Sequence, residues 1–301
     1  MNLISNQSRK DFIRNLSLIV GVTALPGSFF TACKPVPGSK MKLGLVTYQW
    51  AKDWDIPTLI KNCTGTGILG VELRVEHAHG VTLDLNAQQR AEVKKQFAGS
   101  PVQIIGMGTN EQFDWPEPER LHEAIETTKK WLQLSKDIGG SGVKVKPNAF
   151  HDGIPHEQTI EQIGKSLNEL GQYALDMGQQ IRLEVHGRET QELPNIRAMM
   201  DYVQNDGAKV CWNCNDQDLI GQGLEYNFNL VKDKFGDTCH VRELNVGNYP
   251  YQRLMNMFVQ MDYPGWILLE CRTDPEDKVA ALKEQRQIWE TMIALAQKKA
   301  K

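Results

Sequence analysis

The 301-residue sequence lacks several common signatures, and each absence narrows the reading. No Gly-x-Gly-x-x-Gly follows the first strand-like run, which argues against a dinucleotide-binding fold. There is no basic excess: the formal charge is −3. Without residues 1–32, which carry Arg9, Lys10, Asp11 and Arg14, it becomes −5. An acidic chain of this kind has no electrostatic footprint for nucleic acid. Cysteines are few. Beyond Cys33 they are Cys63, Cys211, Cys214, Cys239 and Cys271, scattered and odd in number, which is no disulfide framework. Cys211-x-x-Cys214 has the spacing of half a zinc knuckle, but no second pair accompanies it, so structural zinc is not expected there.

Long apolar runs are also missing, apart from one near the start. Residues 8–14, SRKDFIR, precede the apolar run NLSLIVGVTALPGSFF and then TAC. A basic start, a short apolar segment and small residues form a secretory signal. Gly21, Pro26 and Gly27 break the run, making it a poor membrane span. FTAC resembles a bacterial lipobox, which makes Cys33 the expected lipidated residue. SRKDFIR resembles a twin-arginine signal with Lys10 in the second arginine's place. The expected organisation is an export signal over 1–33, a tether over 34–41 (KPVPGSK within it) and one domain over 42–301. The expected location is the periplasm, or a membrane surface reached only through the lipid anchor.

After the tether, strand-like and helix-like segments alternate to the end. Strands are expected at 42–50, 68–75, 101–108, 142–147, 180–187, 208–213, 240–246 and 265–272. Helices are expected between them and over 276–299. The segment at 118–139 is amphipathic, with Leu121, Ile125, Trp131 and Leu132 near one face. Strands separated by helices pair in parallel. Eight such units in about 260 residues imply an α/β fold of the closed (β/α)8 type, the TIM barrel.

In such a barrel the C-terminal strand ends build the site, and residues two apart share a face. Those ends carry Glu72 and Arg74, Lys144 and Lys146, Glu184 and His186, Asn213, His240 and Arg242, and Glu270 and Arg272. Branched apolar packing does not explain polar groups at nearly every strand end, because buried charges need partners. Glu184, Asn213, His240 and Glu270 would supply three oxygens and one imidazole to a divalent ion: Mn²⁺, Mg²⁺, Co²⁺ or Zn²⁺. If Asn213 is a weak ligand, Asp216 three residues on is the alternative.

These residues carry a family resemblance. LEVHG with Glu184, the strand-six end with Asn213, HVREL with His240 and GWILLECRT with Glu270 resemble the xylose isomerase-like barrel superfamily. That superfamily includes sugar phosphate isomerases, ketose 3-epimerases and inosose dehydratases. The resemblance implies one metal held by Glu, Asp, His and Glu at four strand ends; here Asn213 stands in the place of the Asp. It also implies that Glu184 and Glu270 combine ligand and acid/base roles. Lys146 and His186 join them as catalytic candidates, with Glu72, Arg74, Arg242 and Arg272 as substrate-binding candidates. Charge balance of the arginines by Glu72, Glu184 and Glu243 is the competing reading.

The expected activity is proton abstraction beside a carbonyl of an unphosphorylated sugar or keto-sugar, giving isomerisation or epimerisation. Two alternatives remain: β-elimination from a 3-keto-glycoside, and a sugar-binding lipoprotein without catalysis. A phosphodiesterase is disfavoured by only seven histidines. His77 and His79 are expected in an exposed loop. Tyr48, Trp50, Phe113 and Trp115 are expected to stack on a sugar or to cap the barrel mouth.

Overall fold

The computed structural model describes residues 36–38 and 40–300, so the export and lipidation expectations at 1–33 lie outside the described residues. Eight parallel strands are each followed by a helix. The strands are β1 (Lys42–Val46), β2 (Gly70–Arg74), β3 (Gln103–Gln112), β4 (Gly142–Lys146), β5 (Gln180–Glu184), β6 (Ala208–Cys211), β7 (Thr238–Val241) and β8 (Trp266–Leu269). The helices are α1 (Ile56–Thr66), α2 (Ala87–Ala98), α3 (Pro118–Ile138), α4 (His156–Asp176), α5 (Leu193–Asp201), α6 (Leu224–Val231), α7 (Tyr251–Gln260) and α8 (Lys278–Lys299). No helix among the described residues is long and apolar enough to cross a membrane.

The sheet runs β6-β5-β4-β3-β2-β1-β8-β7. Single bridges, Val210 to Phe235 and Asn213 to His240, join β6 to β7 and bring the ends together. Two backbone hydrogen bonds support this seam: Gly236 N donates to Val210 O at 2.9 Å, and His240 N to Trp212 O at 2.7 Å. The result is the expected (β/α)8 barrel.

Local chemistry sets the element ends. Asp55 caps α1 by accepting from Thr58 N at 2.9 Å, and Pro57 occupies its first turn. Gly67 ends α1 at φ +70°, a left-handed conformation that costs glycine no Cβ clash. The main apolar core lies between sheet and helices and includes Leu45, Leu73, Val143, Leu183 and Ile267. Alternation sends their neighbours to the other face, so Val46, Ile105, Trp266 and Leu268 form a small separate cluster inside the barrel.

Several strands differ in extent from the sequence reading: β1, β5 and β8 end at Val46, Glu184 and Leu269, short of the expected 50, 187 and 272, and β3 and β7 are displaced. β3 continues to Gln112, beyond the expected 108. β7 starts at Thr238 and ends at Val241, whereas a strand over 240–246 was expected. After Val241 the chain turns: the Glu243 carboxylate accepts from Arg272 N at 2.9 Å and Thr273 N at 2.7 Å. A side chain that captures backbone donors in this way competes with strand continuation.

Candidate active site

β2, β4, β5, β7 and β8 each deliver a charged side chain to one point at the C-terminal end of the barrel. Glu72, Lys144, Glu184, His240 and Glu270 are all buried there. Gly108 on β3 makes room: a Cβ at that position would lie 2.8 Å from Glu72 Oε1. His240 stands at the centre. Its Nε2 is 3.2 Å from Glu72 Oε1, and its Nδ1 is 3.5 Å from Glu184 Oε1 and 3.9 Å from Glu270 Oε2. Neither ring nitrogen is aligned for a hydrogen bond.

Glu184 is held from two sides. Lys144 Nζ approaches its Oε2 at 2.8 Å, and Asn213 Nδ2 donates to its Oε1 at 2.9 Å. Burial would raise the Glu184 carboxyl, but Lys144 and His240 outweigh it and hold the group well below the usual carboxylate range. Glu270 goes the other way, raised by burial and by repulsion from Glu184. Burial opposes a charged His240 ring, yet Cys211, Glu72 and Glu184 prevail and raise it well above its ordinary value.

Glu184, His240 and Glu270 offer ligand atoms within 4.8 Å of one another. The Asn213 side-chain oxygen is buried without a partner. Turning that amide over would present the oxygen to the same point, since amide orientation follows the surrounding hydrogen bonds. Two carboxylates, an imidazole and an amide oxygen from four strand ends fit a divalent cation. Metal binding would displace the proton of His240, because a ligating nitrogen must be neutral. Asp216 does not serve as an alternative ligand. It is exposed in the short turn Asp216–Leu219, where the loop does not fold back.

A small cavity of about 60 Å³ opens beside the cluster. Glu184 and Glu270 form part of its wall, together with Tyr48, Arg74, Lys144, Lys146, His186 and Arg272. Lys146 Nζ donates to Asn110 Oδ1 at 2.9 Å. Burial and the nearby Lys144 and Arg74 lower its pKa to about 8. Burial also lowers His186, whose Nδ1 has no partner. Larger cavities exist, of about 740 Å³ at the opposite barrel end and about 780 Å³ beside α7, but neither contains this cluster.

The sequence-derived candidates do not all converge. Arg242 lies just past the end of β7 and does not line the cavity; its backbone N donates to Tyr251 Oη at 3.3 Å. The arginines are not balanced as the competing reading expects. Arg74, Arg242 and Arg272 form no ion pair among the described residues, and Glu243 accepts from backbone and from Thr273 Oγ1. His79 is buried, contrary to expectation, because Arg74 O and Val81 N engage its two ring nitrogens at 2.8 and 3.1 Å. Burial lowers its pKa to about 4. Of the four aromatics, only Tyr48 reaches the cavity, with the Arg74 guanidinium 5.6 Å from its ring centroid. Trp50 is buried and donates to Thr273 O at 2.9 Å, Phe113 is buried, and Trp115 stacks with Arg120.

Lys144 received no role from the sequence. The available signal was the alternation in VKVK, which puts it on the same face as Lys146. Cys211 lies inside the barrel, where Thr238 Oγ1 donates to its Sγ at 3.6 Å. Cys214 packs in the main core instead, and all five described cysteines are free.

No curated protein matches the sequence. Among solved structures, L-ribulose 3-epimerase is similar at a TM-score of 0.73 and 13% identity, covering 86% of this chain and 97% of its own. The 3-keto-D-glucoside 4-epimerase from E. coli is similar at 0.70 and 16%, covering 83% and 99%. The zinc-bound IOLI protein gives 0.70 and 14%, covering 85% and 99%. At these identities the likeness establishes the fold. The sequence model of the xylose isomerase-like TIM barrel matches residues 60–294, most of the chain, and the protein belongs to that family.

Proposed function

We propose that the protein is a divalent-metal-dependent sugar isomerase or epimerase that removes a proton beside the carbonyl of an unphosphorylated sugar or keto-sugar. The observation that carries this reading is the buried Glu184–His240–Glu270 group at the catalytic end of the barrel, opening into a polar cavity. Glu184, Asn213, His240 and Glu270 would hold the ion. Bound there, a divalent cation supplies Lewis-acid polarisation and stabilises negative charge.

The chain's own groups divide the remaining work. Glu184 is fixed by Lys144, so its orientation toward a substrate carbon is set in advance whichever way the Asn213 amide is turned. Glu270 makes no side-chain hydrogen bond among the described residues and is free to take up and return a proton. Two carboxylates driven in opposite directions by their surroundings are a workable acid/base pair. Lys146 and His186 line the same cavity and would donate to a substrate oxygen there. Return of the proton to the same carbon from the opposite face gives epimerisation, and return to the neighbouring carbon gives isomerisation. With a leaving group β to the carbonyl, the same first step ends in elimination. The likeness to a 3-keto-D-glucoside epimerase keeps a 3-keto-glycoside lyase as the second reading. Export with lipidation at Cys33 is part of the proposal and rests on residues 8–33 alone.

Metal analysis of the purified protein, followed by solvent-deuterium exchange into free ketoses and 3-keto-glucosides, tests the reading. About one bound divalent ion and deuterium at the carbon beside the carbonyl are expected. No metal after loading with Mn²⁺ or Co²⁺, and no exchange, would favour a binding protein. Release of aglycone without epimerisation would favour the lyase.

A further inference from the structure

The cavity wall has an uneven charge. Four cationic side chains line it (Arg74, Lys144, Lys146 and Arg272) against two carboxylates, Glu184 and Glu270. Lys144 is engaged by Glu184. Arg74, Lys146 and Arg272 have no carboxylate within 4.0 Å among the described residues; Lys146 meets only the neutral amide of Asn110, and Arg74 the face of Tyr48. Any divalent cation held by the glutamates adds positive charge. Elsewhere in this protein arginines find acids: Arg90 pairs with Asp137 at 2.9 Å, Arg182 with Asp237 at 3.1 Å and Arg197 with Asp201 at 2.8 Å. Arg74 and Lys146 are half-buried and Arg272 stands exposed at the rim; a half-buried cation lacking a partner, beside others of like sign, is an electrostatic cost that an anionic ligand removes. Burial first, and then the nearby Lys144 and Arg74, lower Lys146 to about 8.

We infer that the substrate is an acidic sugar, whose carboxylate is held by Arg74, Arg272 and Lys146 while its carbonyl end faces Glu184 and Glu270. The inference deepens the proposed function and rests on it for the reacting end. A carboxylate suits this wall. Guanidinium groups present planar paired donors that match its two oxygens, and Lys146 adds a point charge.

The test is calorimetric titration of the metal-loaded protein with D-glucuronate, its neutral counterpart D-glucuronamide, and D-glucose 6-phosphate. Glucuronate should bind at least about ten-fold more tightly than glucuronamide, with the advantage shrinking as ionic strength rises. Arg272→Gln and Arg74→Gln should each narrow the gap, and Lys146→Gln provides a third variant if either fails to fold. Equal binding of acid and amide, tighter binding of the phosphate, an unchanged gap in the folded variants, or no binding at all would overturn the inference. Deuterium exchange separates it from the proposed function. Exchange into neutral ketoses without charge preference leaves the function standing and removes this inference. Charge-selective binding without exchange into any ligand removes the proposed function and the reacting end of this inference, and leaves only the carboxylate contacts of Arg74, Arg272 and Lys146.

Discussion

One barrel encloses two polar networks, and they are finished to different standards. At the N-terminal end, Arg182 is fully buried and all its neighbours are matched. It donates to Gln180 Oε1 at 3.1 Å, Ile105 O at 3.3 Å, Ser141 Oγ at 2.5 Å and Asp237 Oδ2 at 3.1 Å. Gln180 and Ser141 in turn both donate to Asp237, each at 3.1 Å. At the C-terminal end, both Glu72 oxygens, both His240 nitrogens and the Asn213 oxygen lack hydrogen-bond partners. A satisfied network fixes structure, whereas buried polar atoms without partners cost stability unless something else binds them. The contrast is a physical reason to seek function at the second end.

The largest expected effect falls on the unfinished network. Glu184→Gln and His240→Ala should each remove the bound ion and lower activity by about a thousand-fold, while leaving a folded barrel. Elemental analysis and circular dichroism on the same samples would check both halves. If either variant retained metal and rate, the distinction between the two ends would collapse.

Lys144→Met comes next, because it leaves Glu184 buried without its cation. A loss of about 3 kcal/mol in unfolding free energy is expected in the metal-free protein, read from the denaturant midpoint. The same pair gives a pH signature. Glu184 and Glu72 are both lowered in the folded state, so their stabilisation is present above the unfolded carboxyl value and is lost as pH falls. The metal-free wild type should therefore lose stability steeply in acid. Lys144→Met should flatten that slope.

Arg182→Met probes the finished network. Its partner Asp237 is 45% exposed and can turn to water, so the cost should be smaller, about 2 kcal/mol. Turnover per folded molecule should stay at the wild-type level. Gly106 and Gly142 belong to the same device: a Cβ at either would sit 3.1–3.2 Å from the Arg182 guanidinium.

The smallest effect belongs to Lys146. Its folded value of about 8 lies below that of an unfolded lysine. The unfolded chain thus binds more protons between those values, and stability should rise slightly with pH across that window. Lys146→Met should abolish the rise. It should also remove any fall in activity above about pH 8 that reflects loss of the Lys146 proton.

The barrel was legible because its signal is periodic and repeated. Eight apolar strand-like segments alternating with helical ones admit few architectures, and the alternation within LEVHG and VKVK already assigns faces. The sequence pattern overextends β1, β5 and β8, because the same residue types continue into the loops, and other errors lie where a side chain overrides local pattern. Glu243 ends β7 by taking backbone donors, and Arg74 O with Val81 N draws His79 into the interior. Neither partner is adjacent in a way that periodicity records. Lys144 is visible among the strand-end charges but receives no role for a related reason, since a lysine in a strand reads equally well as a solvated rim residue.

The amino-acid sequence by itself determined the order of strands and helices, the face on which each side chain lies, and the kinds of donor atom available. Those follow from backbone periodicity and residue chemistry, which are local. Only the tertiary structure decided which charges are paired. It set Lys144 against Glu184, Arg182 against Asp237 and His240 between three glutamates, and left Arg74, Lys146 and Arg272 facing an open cavity. Coulombic pairing depends on distances between strands: Lys144 meets Glu184 across the neighbouring β4 and β5, whereas Arg182 reaches Asp237 and Glu184 reaches His240 only because the barrel brings β5 and β7 close.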